Sequence, residues 1–137
     1  FAGDAQLPNF LKATRVLVNL LPLTAETENI LNRSNMKQLL PGAYLINVAR
    51  GEVVDQEALL EALNQGGISG AATDVTYPEP LPVGHPMWGR DDLIITPHTA
   101  DTKPIVTRLF AMRLRENVAA WLSSKPLTGV VDPKLGY

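Results

Sequence analysis

Residues 43–75 read AYLINVARGEVVDQEALLEALNQGGISGAATDV, and this stretch decides the fold. Its two apolar runs, residues 43–48 and 69–75, have the length and composition of buried β-strands. Between them lies a helical pattern that begins after Asp55, a favoured N-cap residue, and ends at a pair of glycines. A strand, a helix and a second strand in this order form a βαβ unit, which predicts a parallel sheet.

The same alternation extends to both sides of this unit. Further strands are predicted at residues 15–21 and 93–96, and Thr24 and Ser34 are each placed to cap a helix. The apolar residues of the first strand do not alternate with polar ones, so we expect helices to cover both faces of the sheet. These patterns predict an α/β fold, a partial Rossmann-type parallel sheet with flanking helices.

Two segments complete the prediction. Four prolines between residues 77 and 90 predict a loop without regular structure. A last helix is predicted from about Thr102 to Ser123, and its apolar residues are so numerous that we expect cover on more than one side. The remaining residues, 125–137, are expected to form a tail.

Composition excludes several classes of protein. The chain has 137 residues, about one domain, of which 45% are hydrophobic and 19% charged, as in a folded globular protein. A net charge of −2 gives no electrostatic reason to expect nucleic acid or an anionic membrane as a partner. No apolar run approaches the about 20 residues of a membrane helix. With no cysteine, we expect no disulfide, no metal centre and a cytoplasmic protein.

The glycines do not form a dinucleotide phosphate loop. A Rossmann domain carries G-x-G-x-x-G between its first strand and first helix, whereas the nearest match here, residues 66–70, has the wrong spacing and follows a helix. The sequence also opens at Phe1, with no methionine and no leader pattern. Either the protein is not of the Rossmann type, or the chain is a fragment whose first βαβ unit lies upstream of Phe1; the polar residues described next favour the second.

Polar side chains follow three of the predicted strands, and these are Arg50, Asp74, Glu79 and His98. Since ligands of open α/β sheets bind at the carboxyl ends of the strands, we expect these side chains to converge. Taken singly, each has an ordinary interpretation: a salt-bridged arginine, a turn cap, a surface carboxylate and a histidine bonded to backbone. His98 is the strongest candidate, because histidine transfers protons near neutral pH.

Four short strings occur in a fixed order along the chain. They are Leu21-Pro22-Leu23-Thr24, Asn47-Val48-Ala49-Arg50-Gly51, Asp74-Val75 followed by Pro78-Glu79-Pro80, and Thr96-Pro97-His98. The set resembles the D-2-hydroxyacid dehydrogenase family over essentially the whole chain, which would be the C-terminal portion of such a protein. Phe1-Ala2-Gly3, Pro86-Met87-Trp88 and Gly136-Tyr137 look most like its glyoxylate/hydroxypyruvate reductase A branch.

The resemblance implies roles for the polar residues. Arg50 would clamp the substrate carboxylate and keto oxygen, a bidentate task suited to guanidinium. His98 would give a proton to the carbonyl oxygen as a hydride from NADPH or NADH reaches the carbon, and Glu79 would keep His98 protonated. The cofactor residues it implies are Leu21, Pro22, Asn47, Val48, Ala49, Arg50, Asp74, His98 and Ala100. Asp74 would bind the nicotinamide carboxamide.

The resemblance also implies an organisation for the whole protein. Residues 1–124 would be the C-terminal part of the NAD(P)-binding domain, and residues 125–137 a tail packed on a substrate domain that lies elsewhere. The substrate would be a small 2-ketoacid of the glyoxylate or hydroxypyruvate type, and the protein a homodimer.

Alternatives stay open at this point. C-terminal binding protein corepressors share the fold and the catalytic set but act by binding partners, and an inactive fragment is a further alternative. Formate dehydrogenase pairs its histidine with glutamine, so Glu79 argues against it. Asp101 stands where many members of the family have a small residue; it is either a helix cap or an extra carboxylate near the site.

Overall fold

The computed structural model describes residues 1–101 and 103–134, which form two compact units divided between His98 and Thr99. The first unit is built on a four-stranded sheet in which every neighbouring pair is parallel and the order is β1-β2-β3-β4. The strands are β1 (Val16–Asn19), β2 (Ala43–Asn47), β3 (Ile68–Thr73) and β4 (Leu93–Ile95). This arrangement confirms the predicted α/β fold with a parallel sheet.

The helices of the first unit are short. They are α1 (Leu7–Lys12), α2 (Arg33–Met36) and α3 (Gln56–Asn64), with 3₁₀ helices at Asp4–Gln6, Gly51–Val53 and Pro86–Gly89. The predicted N-cap of α3 is confirmed, since the Asp55 carboxylate accepts a hydrogen bond from the backbone N–H of Ala58 at 3.0 Å. The second unit contains α4 (Lys103–Leu122).

The register of the sheet brings the strand ends together. Asn19 pairs with Asn47, Asn47 with Thr73, and Thr73 with Ile95. All four strands therefore finish at one level, and the loops that follow them leave from one edge. This edge carries most of the residues predicted for the site.

Two helix predictions are wrong. Thr24 opens hydrogen-bonded turns and not a helix, because the Thr27 hydroxyl donates to the Pro22 carbonyl at 2.6 Å and Asn29, at a φ of 51°, turns away to donate its N–H to Glu52. The next helix, α2, is capped by Asn32 instead of Ser34. The Asn32 side chain accepts a hydrogen bond from the backbone N–H of Asn35, the third residue of α2, at 3.0 Å.

Smaller differences concern the ends of elements. Strands β1, β2, β3 and β4 each stop one or two residues before the predicted end, where polar side chains begin to bond the backbone. The proline-rich segment holds a 3₁₀ helix at Pro86–Gly89, capped by the His85 ring, which accepts from Met87 N–H at 3.3 Å. Helix α1 was not predicted. The predicted helix start at Thr102, and Gly136-Tyr137 of the family resemblance, lie outside the described residues.

The core of the first unit lies on one face of the sheet. Its buried side chains come from α1, the α2 region, α3 and the strands, and include Leu11, Leu17, Met36, Leu45, Leu59, Leu63 and Ile68. Among the described residues of the first unit, helices pack on this face, and the predicted cover of the other face stays a prediction. Val16, Val18, Tyr44 and Ile94 point to the other face and are about half exposed or more.

The apolar side chains of α4 are exposed in the same way. No residue of this helix is buried among those described, so the cover expected on more than one side is not seen. The exposed residues include Ile105, Val106, Leu109, Phe110, Leu114, Val118 and Trp121. The predicted domain boundary at residue 124 stays a prediction.

Candidate active site

Two buried asparagines shape the edge of the sheet beside Arg50. Asn19 and Asn47 face each other in register at the ends of β1 and β2, and the Asn19 amide donates to Asn47 Oδ1 at 2.9 Å. Asn47 Nδ2 in turn donates to the Arg50 carbonyl at 2.9 Å, and Asn47 Oδ1 accepts from the N–H of Ala49 at 3.2 Å. The pair thus fixes the turn that presents Arg50. Asn19 was not predicted as a site residue, although a polar residue at the end of an apolar strand is an indication of such a role.

Arg50 is exposed at this edge, and its Nη1 donates to the Ala49 carbonyl at 2.7 Å. The next residue, Gly51, lies against the loop that follows β3. A Cβ on Gly51 would stand 2.3 Å from the carbonyl carbon and oxygen of Thr76. Only glycine allows these two backbones to approach so closely. The turn at residues 47–51, here called the Arg50 turn, is therefore in direct contact with the loop at residues 74–80, here called the Glu79 loop.

Glu79 and His98 form a hydrogen-bonded pair. Glu79 Oε1 lies 2.6 Å from His98 Nδ1, and Glu79 Oε2 accepts from the backbone N–H of Thr76 at 3.3 Å. The hydrogen bond with His98 holds the pKa of Glu79 below its usual value; burial opposes this, while the Thr76 N–H and the positive charge of Arg50 support it. Glu79 is therefore ionised at neutral pH and can only accept, so Nδ1 of His98 is the donor.

The backbone of His98 is held in a strained conformation. Its φ is 53°, in the left-handed region that residues other than glycine rarely adopt. The N–H of His98 donates to the carbonyls of Asp74 at 2.9 Å and Thr96 at 3.1 Å, which fixes this conformation. Strained residues of this kind cluster at functional sites, where the surrounding structure determines them.

Asp74 is a buried carboxylate beside this pair, with only 4% of its surface exposed. Its backbone N–H donates to the Asn47 carbonyl at 2.9 Å, which joins it to the turn before Arg50. Its Oδ1 accepts from the Thr96 hydroxyl at 2.5 Å. A carboxylate held in this way at the end of a strand is a directed hydrogen-bond acceptor.

A cavity of about 460 Å³ opens between these groups. Its polar lining includes Asp74, Thr96, Glu79 and His98, and its apolar lining consists of Pro80, Leu81, Trp88, Ile95 and Pro97. Apolar walls with a few polar groups are typical of small-molecule sites. Trp88 stands at this wall, and its indole N–H donates to the Pro82 carbonyl at 3.0 Å.

Some predicted site residues lie apart from this cavity. Arg50 does not line it, although its charge acts on Glu79. Leu21 lines a separate apolar groove of about 350 Å³, and its N–H donates to Asn19 Oδ1 at 3.2 Å. Ala100 belongs to the second unit. The roles assigned to all these residues stay predictions.

The described residues contain no cluster of three histidine, aspartate, glutamate or cysteine side chains that could hold a metal ion. None of the helices they form is long and apolar enough to cross a bilayer.

Comparison with known proteins identifies close relatives. Residues 2–100 match the profile of the D-isomer specific 2-hydroxyacid dehydrogenase, NAD binding domain. Glyoxylate/hydroxypyruvate reductase A from Enterobacter sp. (strain 638) is 45% identical over 138 residues, which cover 100% of this chain and 43% of that protein. The chain therefore spans less than half the length of this relative.

Solved structures agree with this assignment. One is a D-isomer specific 2-hydroxyacid dehydrogenase from Xanthobacter autotrophicus Py2 in complex with NADPH and MES. It superposes with a TM-score of 0.89 at 42% identity, and the match covers 100% of this chain and 56% of the Xanthobacter chain. Another is an NADPH-dependent glyoxylate/hydroxypyruvate reductase from Sinorhizobium meliloti in complex with NADP and sulfate. Its TM-score is 0.86 at 33% identity, and the match covers 99% of this chain and 44% of the Sinorhizobium chain. The chain belongs to the D-isomer specific 2-hydroxyacid dehydrogenase family, and the part that matches is the NAD-binding domain.

Proposed function

We propose that this chain supplies the proton donor and the nicotinamide end of the cofactor site for NAD(P)H-dependent reduction of a small 2-ketoacid to a 2-hydroxyacid. The observation that carries the proposal is the Glu79–His98 pair, which opens on a cavity that also holds the buried Asp74 carboxylate. The proposal concerns a protein longer than these 137 residues, since the relatives are more than twice as long.

His98 is the proton donor in this proposal. Because the Nδ1–H of His98 donates its hydrogen bond to ionised Glu79, the second ring nitrogen, Nε2, is the one that transfers a proton to the substrate carbonyl oxygen. The hydrogen bond to Glu79 orients the imidazole ring and fixes which nitrogen carries the proton for transfer. General acid catalysis of this kind contributes about 10²–10⁴ in rate.

Arg50 is the proposed clamp for the substrate. Its guanidinium can donate two parallel hydrogen bonds to the carboxylate and keto oxygen of a 2-ketoacid, which orients the carbonyl carbon. The buried Asn19–Asn47 pair holds the turn from which Arg50 extends, and the contact of Gly51 with Thr76 fixes that turn against the Glu79 loop.

The lining of the cavity fits the nicotinamide end of a cofactor. The Asp74 carboxylate can accept from a carboxamide N–H, and Ile95 and Pro97 offer apolar surface for a flat ring. A bound NADPH or NADH would supply the hydride. We propose Leu21, Pro22, Asn47, Val48, Ala49 and Ala100 as further cofactor contacts. No glycine-rich phosphate loop occurs in the sequence, so we propose no residue of this chain as a contact of the cofactor diphosphate.

The proposal is tested in the native full-length protein that carries this segment. We expect His98→Asn and Arg50→Ala to lower kcat/KM for glyoxylate by at least about 100-fold while the protein stays folded. Near-parental kcat/KM in both variants would refute the catalytic assignment. The 137-residue chain alone is expected not to bind NADPH. Micromolar binding measured by calorimetry would contradict this expectation. The choice of 2-ketoacid, the homodimer and the cytoplasmic location stay predictions.

A further inference from the structure

Thr96 connects the two polar groups of the cavity that the proposed reaction uses. It is the first residue after β4, and its hydroxyl donates to Asp74 Oδ1 at 2.5 Å. It lines the same cavity as Asp74 and His98. Neither the proton donor nor the substrate clamp requires a hydroxyl at this position, so its contact with a buried carboxylate calls for a separate explanation.

The backbone of Thr96 is tied to the same neighbours. Its N–H donates to the Thr73 carbonyl at 3.0 Å, and its carbonyl accepts from the N–H of His98 at 3.1 Å. The N–H of His98 also donates to the carbonyl of Asp74 at 2.9 Å. Thr96 therefore contacts the Asp74 carboxylate through its side chain and the left-handed His98 through its backbone.

We propose that Thr96 is a positioning residue that sets the orientation of the Asp74 carboxylate toward the nicotinamide carboxamide. A carboxylate can rotate about its side-chain bonds, and a short hydrogen bond to a fixed hydroxyl selects one orientation. The backbone of Thr96 is fixed by β3, so the hydroxyl does not move with the ligand. The inference rests on the proposed function, because it takes Asp74 as the group that meets the cofactor.

The test compares Thr96→Val and Thr96→Ser in the full-length protein. Valine has the shape of threonine without the hydroxyl, whereas serine keeps the hydroxyl. We expect Thr96→Val to raise the Kd for NADPH up to about 10-fold, the cost of ordering one freed side chain on binding. Thr96→Ser should restore the Kd to within about twofold of the parent, because it keeps the hydroxyl. The Kd is measured by NADPH fluorescence, without turnover.

Two controls separate positioning from a general loss of structure. Thr14 also donates its hydroxyl to a carbonyl, that of Phe10 at 2.6 Å, far along the chain from the cavity residues. Thr14→Val should lower stability without changing the Kd for NADPH. In an Asp74→Ala background, Thr96→Val should change the Kd by less than about twofold, because Thr96 acts through the Asp74 carboxylate. Thr96→Ala replaces the valine variant if the latter does not fold.

The outcomes distinguish this inference from the proposed function. A parental Kd in Thr96→Val, or a serine variant as weak as the valine variant, overturns the role of Thr96. A parent protein that binds NADPH and shows the valine–serine difference but reduces no 2-ketoacid refutes the reductase function and supports the positioning role. A parent that binds neither NADPH nor NADH overturns both.

Discussion

Replacing Gly51 with alanine tests whether the Arg50 turn and the Glu79 loop are held together by close backbone contact. The new Cβ would lie 2.3 Å from the carbonyl carbon and oxygen of Thr76 and 2.7 Å from the nitrogen of Tyr77, whereas ordinary van der Waals contact begins at 3.4 Å. All three atoms belong to backbone, so no flexible side chain can move aside. The two loops must therefore separate by about 1 Å, a small-to-large strain of the kind that cores tolerate poorly.

The cost can be estimated from the structure. Overpacking of this kind destabilises a protein by about 1–3 kcal/mol. Alanine restricts the unfolded chain more than glycine does, which offsets about 0.4–1 kcal/mol of that cost. Gly51 does not have a positive φ, so no backbone strain adds to it. At the middle of these two ranges the net loss is about 1.3 kcal/mol, which corresponds to a fall in Tm of roughly 5–10 °C for a unit of this size.

The measurement is urea and thermal unfolding followed by circular dichroism. Gly89→Ala is the matched control, because Gly89 is exposed, its φ is not positive, and an added Cβ would meet nothing within 4 Å. The control should unfold at the parental urea concentration or slightly above it. If Gly51→Ala unfolds together with Gly89→Ala, the two loops do not touch as described, and the link between Arg50 and Glu79 is wrong.

Three further substitutions probe the core, the strand ends and the ion pair. Leu45→Ala removes a fully buried side chain of β2 and should lower the free energy of unfolding by about 2–5 kcal/mol in urea titrations. Asn19→Ala leaves Asn47 Oδ1 with one donor fewer and should cost about 1–3 kcal/mol by the same measurement. The pKa of Glu79 is lowered on folding, so the stability that ionised Glu79 contributes is present above pH 4.5 and is lost as pH falls through the lowered pKa. Glu79→Gln should therefore reduce the fall in Tm below pH 4.5. A fall in Tm below pH 4.5 equal to that of the parent would contradict the Glu79–His98 pair.

The fold was predictable where local signals and long-range contacts agree. Residues 43–75 carry strand-length apolar runs, a good N-cap at Asp55 and a glycine stop, and the structure contains β2, α3 and β3 there. Thr24 carries the same kind of cap signal but opens no helix. The reason is tertiary, because the N–H of Asn29 bonds to Glu52, which lies 23 residues further along the chain. No local pattern reports such a contact.

The site was predictable only in part for a similar reason. His98 and Glu79 were singled out by position and by family resemblance, and the structure places them in contact. Asn19 and Thr96 were not, although both bond to predicted site residues, Asn47 and Asp74. The partners in these two contacts are 28 and 22 residues apart along the chain, and they meet only through the register between neighbouring strands. The sequence of a single strand does not contain that register.

The buried neighbours matter more to this site than the ion pair itself. The side chains of Glu79 and His98 are 43% and 46% exposed, and an ion pair so open to water contributes about 0–1 kcal/mol at most. Such a pair cannot hold His98 at a φ of 53°. The hydrogen bonds from its N–H to the carbonyls of Asp74 and Thr96 do so, and they are anchored by a sheet whose strands end in register. The backbone thus sets the direction of His98, the proposed proton donor, and substitutions of the residues that hold it should lower the proposed activity more than their distance from the substrate suggests.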